Sequence, residues 1–207
     1  MFLDIIILLY NATKITKIML LYIKVYAYTK IRREKMDKIQ YLVRKAKKGN
    51  QESFCVLIEM IKNDLYLIAK TRLKNEDDIA DAIQDTIIIC YNNIKFLRKE
   101  NSFKAWSIKI LINNCNKIYK KYNNENISIE YDENLLGSVE NTDEKLNFED
   151  LIKDLNSDEQ LILTLYYYSR YTTKEISKIL KIKENTIKSK ISRAKEKIYK
   201  KYGGAIA

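Results

Sequence analysis

Thr173-Lys174-Glu175-Ile176-Ser177-Lys178-Ile179-Leu180-Lys181-Ile182-Lys183-Glu184-Asn185-Thr186-Ile187-Lys188-Ser189-Lys190-Ile191-Ser192-Arg193-Ala194 contains two apolar periodicities separated by a three-residue gap. The first predicts a short helix over about 173–180, with Thr172 or Thr173 as its cap and Ile176, Ile179 and Leu180 turned inward. Lys181-Ile182-Lys183 has the length of a helix-turn-helix connection. In the helix that follows, Ile187, Ile191, Ala194 and Ile198 form the buried stripe. Asn185, Ser189, Ser192 and Arg193 lie opposite, flanked by Lys188 and Lys190. Short polar groups and one Arg thus face where base edges would be, with lysines where phosphates would be. A solvated terminal helix would share this polarity but need not follow so short a turn, so the pattern predicts duplex DNA reading.

The rest of the chain agrees with an all-helical fold. Its 207 residues allow one ordinary domain or two small ones, and 46% hydrophobic with 31% charged residues is the composition of a soluble globular protein. With no Pro and 4 Gly, the composition points to helices and away from turn-rich sandwiches, barrels and glycine-turned α/β folds. The cysteines Cys55, Cys90 and Cys115 are far apart, and there is no His. Zinc binding, a disulfide framework and His-dependent catalysis lose their basis. The expectation is no metal, no cofactor and no small-molecule substrate, with the three cysteines as small core residues in a reducing cytosol.

Charge is distributed in blocks. The net charge is +11, and within it residues 36–124 carry +7, residues 125–160 carry −10 and residues 174–201 carry +8. Two basic blocks flanking an acidic tether predict two separate contacts with one polyanion.

Upstream, Ile39, Leu42, Val43 and Ala46 have helical spacing, and Gly49-Asn50 stops that segment. A second helix is expected from about Gln51 to Leu73. Asn75 then opens a third, with Glu76, Asp77 and Asp78 where the helix dipole favours acids. On this third helix Ile79, Ile83, Thr86 and Cys90 share one face, while Asp81, Gln84, Asp85 and Ile88 share the opposite one. Ile87, Ile88 and Ile89 follow the acids, so the helix is apolar nearly all round. Such a helix is buried on one side and can bind a partner on the other.

Phe96 to Trp106 reads as a loop entering a fourth helix, with Asn101 or Ser102 as cap. Trp106, Ile110 and Cys115 can face the core, and Lys104, Lys109, Lys117, Lys120 and Lys121 give a basic surface. Aromatics and Arg98 beside a polar loop suit stacking on an unpaired base, although Phe103 and Trp106 also suit the core. Residues 123–154 read as a flexible acidic linker with some helix toward its end, and compact structure is expected to resume at Leu155. Asn156-Ser157-Asp158-Glu159 is a helix start, with Leu161, Leu165 and Tyr168 following inward.

The first 35 residues contain no apolar run of membrane-spanning length, because Lys14 and Lys17 interrupt it, and no secretory signal pattern. Lys outnumbers Arg, and Ile and Asn abound, as in an AT-rich genome. Ile31-Arg32-Arg33-Glu34-Lys35-Met36 then reads back as ATA-AGG-AGG-GAA-AAA-ATG, a ribosome-binding site before a start codon. Met36 is therefore expected to be the initiator and 1–35 a translated leader, the alternative being an N-terminal extension or anchor.

In this order the motifs resemble an extracytoplasmic-function sigma factor of the sigma-70 family, over nearly all of 38–202. Asp81-Ala82-Ile83-Gln84-Asp85 resembles the region-two core that docks the polymerase clamp. Ser102-Phe103-Lys104-Ala105-Trp106, then Ile110, Asn113 and Cys115, resembles the segment that melts and reads the minus-ten element. Thr173 to Ser177 and Thr186 to Ala194 resemble the region-four pattern that reads the minus-thirty-five element. The resemblance implies region two over 36–122, an acidic linker over 123–154, region four over 155–202 and a tail over 203–207. It assigns Asp81, Gln84, Asp85 and Ile88 to core polymerase. Arg98, Lys99, Asn101, Ser102, Phe103, Lys104, Trp106, Lys109 and Asn113 go to the minus-ten element. Thr173, Lys183, Asn185, Thr186, Lys188, Ser189, Lys190, Ser192, Arg193 and Lys197 go to the minus-thirty-five element. Core RNA polymerase and promoter DNA are the implied partners, an anti-sigma factor restrains many relatives, and the implied location is the bacterial cytoplasm on the nucleoid.

Three residues depart from the family pattern. Lys181 stands where Gly is usual, so a left-handed backbone there costs about 1 kcal/mol. Lys183 stands where a capping Ser or Thr is usual, a loss of about 1 kcal/mol, and Lys117 replaces a frequent Asp. The competing readings are a helix-turn-helix regulator that does not dock on polymerase and a membrane-tethered signalling protein. The first leaves 75–121 without a purpose, and no nucleophile–base pair or phosphate loop supports an enzyme.

Overall fold

A computed structural model describes residue 34, residues 36–124 and residues 148–202, and the regular elements among them are helical. Helix α1 occupies 36–47, with Ile39, Leu42, Val43 and Ala46 buried as the spacing predicts. Gly49, at φ 92°, turns the chain where a side chain would be strained. The Asn50 side chain accepts from Ser53 N at 2.7 Å and opens α2, Gln51–Lys70. This helix is shorter than the sequence suggests. The Thr71 hydroxyl donates to Ile68 O at 2.7 Å and closes the last turn, leaving Leu73 buried outside the helix.

Asn75 caps α3, Glu76–Asn93, by accepting from Asp77 N and Asp78 N. Two 3-10 turns, Ile94–Phe96 and Glu100–Ser102, lead into α4, Phe103–Asn124. Helices α2, α3 and α4 enclose Leu57, Ile61, Leu65, Ile68, Ile79, Phe103, Ile108 and Leu111, all fully buried. Each such side chain stabilises the unit by about 2 kcal/mol. Two buried polar links fix how α3 meets α4. Asn114 Nδ2 donates to Thr86 Oγ1 at 3.1 Å, and Cys90 Sγ lies 3.5 Å from Ser107 Oγ.

The second unit begins at Phe148, earlier than Leu155. Helix α5, Phe148–Ile152, buries Ile152 and sets Phe148 6.5 Å from Tyr168 between ring centroids. Asn156 caps α6, Ser157–Leu163, in a reciprocal box with Glu159. The chain continues through a π-helical turn, Thr164–Tyr168. That wider turn breaks the 3.6-residue register, so Leu161 and Leu165 are buried as expected but Tyr168 is exposed. Thr172, not Thr173, caps α7, Thr173–Leu180, again with a reciprocal box, through Glu175. Helix α8, Glu184–Tyr202, follows.

The turn takes the expected left-handed form at Lys181, φ 58° and ψ 37°. The strain is offset locally, since Ile182 N donates to Ser177 O at 3.2 Å and Ser177 Oγ donates to Ile182 O at 2.6 Å.

The two units touch. Lys70 Nζ meets Glu149 Oε2 at 2.7 Å, Arg72 Nη1 meets Asp158 Oδ1 at 2.9 Å, and Ser157 Oγ donates to Thr71 O at 2.5 Å. Lys109 Nζ donates to Lys178 O at 3.4 Å. The leader reading for 1–35 and most of the acidic linker fall outside the described residues. Among the described residues, no helix is long and apolar enough to cross a membrane.

Candidate nucleic-acid interface

Helix α8 presents the first surface. Its entry angle is set by Thr173 Oγ1, which donates to Glu184 Oε1 at 2.8 Å and joins the starts of α7 and α8. That hydroxyl, and then Lys188 at 3.1 Å, hold the Glu184 carboxyl below the usual carboxylate range. Thr173 is therefore an orienting residue here. Ile187, Ile191 and Ala194 are buried, which turns Asn185, Thr186, Ser189, Ser192 and Arg193 to solvent on one face. Ser189 Oγ donates back to Asn185 O at 3.0 Å. Lys183 is exposed at the turn, and Lys188 is exposed beside the face.

Two of the sequence-assigned lysines of α8 are engaged elsewhere. Lys190 Nζ faces Asp158 Oδ2 at 3.5 Å, and Lys197 Nζ straddles the Glu159 carboxylate at 2.7 and 2.9 Å. Glu159 is 6% exposed, and a carboxylate so buried requires a cation beside it. Lys197 thus fastens α8 to α6 rather than standing free for a phosphate.

The second surface is the loop between α3 and α4. Ile89, Asn93, Phe96, Leu97, Arg98, Lys99, Ser102, Trp106 and Ile110 line an open groove. Phe96 is 70% exposed at its rim with Lys95 Nζ 5.0 Å from the ring centroid, and Trp106 is half-buried in its wall. Arg98, Lys99 and Asn101 are exposed, and Ser102 Oγ donates to Lys99 O at 2.6 Å. An aromatic wall, an exposed ring and a guanidinium suit an unstacked base.

Three of the residues assigned to this surface behave differently. Phe103 is fully buried, 6.1 Å from Trp106 between ring centroids, so it supports the groove from beneath and cannot touch a base. Lys104 Nζ pairs with Asp64 Oδ1 at 2.7 Å and lies 5.7 Å from the Tyr171 ring, away from the groove. Lys109 faces α7, while Asn113 is exposed beside Lys117 and Lys120 in an adjoining depression. Sequence reasoning missed Phe96, whose signal is an aromatic set just before the Arg-Lys pair. It also missed Arg72, which carries no local motif.

The third surface is the outer face of α3. Asp81, Gln84 and Asp85 are exposed, and Ile88 is 53% exposed one turn further on. None of the three polar residues has an ion-pair or hydrogen-bond partner among the described residues. Acids beside an exposed Ile suit a basic, partly apolar partner. The opposite side is buried through Ile79, Ala82, Thr86 and Cys90, with Ile83 half-buried.

Of the cysteines, Cys55 is exposed and only Cys90 and Cys115 are core residues. Burial pushes both of those thiols up to about 11.

Comparison with known proteins gives two family matches in chain order: sigma-70 region 2 over 57–124 and sigma-70 region 4 over 145–198. The ECF RNA polymerase sigma-E factor of Haemophilus influenzae is 28% identical over 178 residues, covering 78% of this chain and 94% of the relative. The RNA polymerase sigma factor SigV of Bacillus subtilis is 25% identical, covering 71% and 91%. Among solved structures, CnrH in complex with the cytosolic domain of CnrY superposes with a TM-score of 0.58 at 17% identity, over 81% of this chain and 98% of that one. The sigma factor RpoE in complex with the anti-sigma factor NepR from Bartonella quintana gives 0.57 at 20% identity, over 72% and 96%. These two similarities establish a shared fold.

Proposed function

The chain belongs to the sigma-70 family as an extracytoplasmic-function sigma factor, and from that premise we propose how its three surfaces divide the work of binding core RNA polymerase and directing it to promoters. The observation that carries the division is that region 2 and region 4 place separate polar faces on separate helices, α3 and α8.

Asp81, Gln84, Asp85 and Ile88 dock the polymerase clamp. Anchored there, the groove between Phe96 and Trp106 receives a base flipped out of the non-template strand, with Arg98, Lys99, Asn101 and Ser102 around it. Stabilising that flipped base stabilises melted minus-ten DNA without a reaction on this chain. Lys104 and Lys109 join this surface only if they leave their present partners. Asn185, Ser189, Ser192 and Arg193 read base edges of the minus-thirty-five element, with Lys183, Thr186 and Lys188 toward the phosphates.

The elements named minus ten and minus thirty-five are about 25 base pairs apart, about 85 Å of duplex. A compact body of 207 residues has a radius of gyration of only about 17 Å. Both elements cannot be held while α7 rests on α4, so the two units part when polymerase is bound. The acidic stretch of sequence over 125–147, between α4 and α5, has the length and charge to span that separation.

The family is one of transcription initiation factors, and we assign this chain no catalytic residue and no metal. An anti-sigma factor is proposed as a further partner on the likeness to a sigma factor solved with one. The place of action is the bacterial cytoplasm, on the nucleoid.

The test is run-off transcription with residues 36–207 and core polymerase on a library of promoter-like duplexes. Sequence-dependent transcripts that vanish on Asp81→Arg with Asp85→Arg, while duplex binding persists, support this reading. Duplex binding with neither core binding nor transcripts leaves a helix-turn-helix regulator.

A further inference from the structure

Between the two 3-10 turns the chain has little to hold its shape. Neither turn has a side-chain cap, and Leu97, Arg98 and Lys99 lie outside regular structure. Backbone bonds are confined to the edges, where Leu97 N donates to Ile94 O at 3.1 Å and Ser102 N donates to Lys99 O at 3.0 Å. Into this gap reaches a side chain from the first helix. Lys47 Nζ donates to Leu97 O at 3.0 Å and to Glu100 Oε1 at 3.3 Å, across 50 and 53 residues of sequence. Its side chain is 26% exposed and that of Glu100 31%, so the pair is partly withdrawn from solvent. One ammonium therefore holds both ends of the segment whose middle residues, Arg98 and Lys99, face the groove. An ammonium with three donors suits this bridging, because the two acceptors lie on different chain groups.

We propose that Lys47 is the positioning residue of the base-reading loop, holding Arg98 and Lys99 in the conformation that accepts an unstacked base. The proposal rests on the assignment of this groove to the minus-ten element and deepens it. A loop already fixed in its bound form does not lose its freedom again on binding, so affinity rises without any new contact to DNA. Glu100 acts as the second anchor. Its carboxyl is held below the usual range, first by its own backbone N–H and then by Lys47. The basic surroundings of the pair, Arg44 and Lys45 on α1 and Lys48 just after it, do not replace the bridge, since none of them reaches the Leu97 carbonyl among the described hydrogen bonds.

Lys47→Met keeps the aliphatic stem and removes the donors, whereas Lys47→Arg keeps donors. The full chain is assembled with core polymerase and measured on two probes taken from a promoter that the run-off library yields. One is a single-stranded oligonucleotide of the minus-ten non-template strand, and the other is the minus-thirty-five duplex. Amide exchange of residues 97–102 is followed in the free chain. The expected result for Lys47→Met is about tenfold weaker strand binding with faster exchange of the loop, duplex binding and thermal midpoint unchanged, and recovery in Lys47→Arg. Strand binding within about twofold of wild type overturns the proposal, as does a parallel fall on the duplex. A wild-type holoenzyme that shows no preference for the strand overturns the base-reading assignment itself, and the positioning role falls with it. Unchanged loop exchange in Lys47→Met with wild-type strand preference intact overturns the positioning role alone.

Discussion

Arg72 Nη1 lies 2.9 Å from Asp158 Oδ1, and the other oxygen of that carboxylate faces Lys190 on α8 at 3.5 Å. The same guanidinium donates through Nη2 to Asn116 Oδ1 at 3.1 Å. A continuous polar chain thus runs from α4 of region 2 to α8 of region 4. Asp158 is 56% exposed, so the pair contributes at most about 1 kcal/mol and is screened by salt. A weak tie of this kind holds two units together and still lets them part.

Arg72→Glu places two carboxylates face to face and is expected to shift the free chain toward separated units. Dyes on Cys55 and on Tyr199→Cys, both exposed positions, give the readout by energy transfer. Transfer should fall in Arg72→Glu, fall less in high salt alone, and recover in the Arg72→Glu/Asp158→Arg double variant. Equal transfer in all four conditions would show that the remaining contacts, Lys70–Glu149 among them, hold the body closed without Arg72.

Thiol chemistry separates the three cysteines. With Cys90 and Cys115 raised to about 11 by burial, their thiolate fraction at pH 8 is about a thousandth. One thiol per folded chain, Cys55, is expected to react quickly with Ellman's reagent, and three in denaturant. Two fast thiols in the native chain would place one of the core cysteines in solvent.

Asp81→Arg and Asp85→Arg change exposed residues with no partner among the described residues, so stability should move by no more than about 0.5 kcal/mol. Affinity for core polymerase should fall at least about tenfold for the pair of changes. Ile88→Lys is expected to weaken docking further. The check is binding to core polymerase by fluorescence anisotropy, beside thermal unfolding of each variant.

Lys181→Gly removes the steric cost of φ 58° at the turn of the helix-turn-helix. The folded form gains about 1 kcal/mol, and the freer unfolded chain returns part of it, leaving about 0.5 kcal/mol of net stabilisation. Denaturant unfolding measures it. A destabilised Lys181→Gly would mean that the lysine side chain makes a favourable contact outweighing its strain.

Short-range rules account for much of the fold. The caps at Asn75, Asn156 and Thr172, the buried stripe of α8 and the left-handed turn at Lys181 are legible in the sequence, because each depends on residues within one or two turns. The π-helical turn at Thr164–Tyr168 is not, since a 3.6-residue wheel applied across it puts Tyr168 on the wrong side. At the site, the outward faces of α3 and α8 are readable from periodicity. The fates of Phe103, Lys104, Lys190 and Lys197 are not, because a side chain near a groove and a side chain beneath it have the same local sequence.

Periodicity, capping and composition are local or additive properties, and they suffice to specify the helical class, the helix-turn-helix and the charge blocks. Which lysines remain free for DNA is settled by packing. The fold brings Asp64 to Lys104, Glu159 to Lys197, Asp158 to Arg72 and Glu100 to Lys47. All four pairs join residues from 38 to 86 positions apart in the sequence. An ion pair acts over a few ångströms of space, and no one-dimensional pattern records which distant charges the packing of helices brings together.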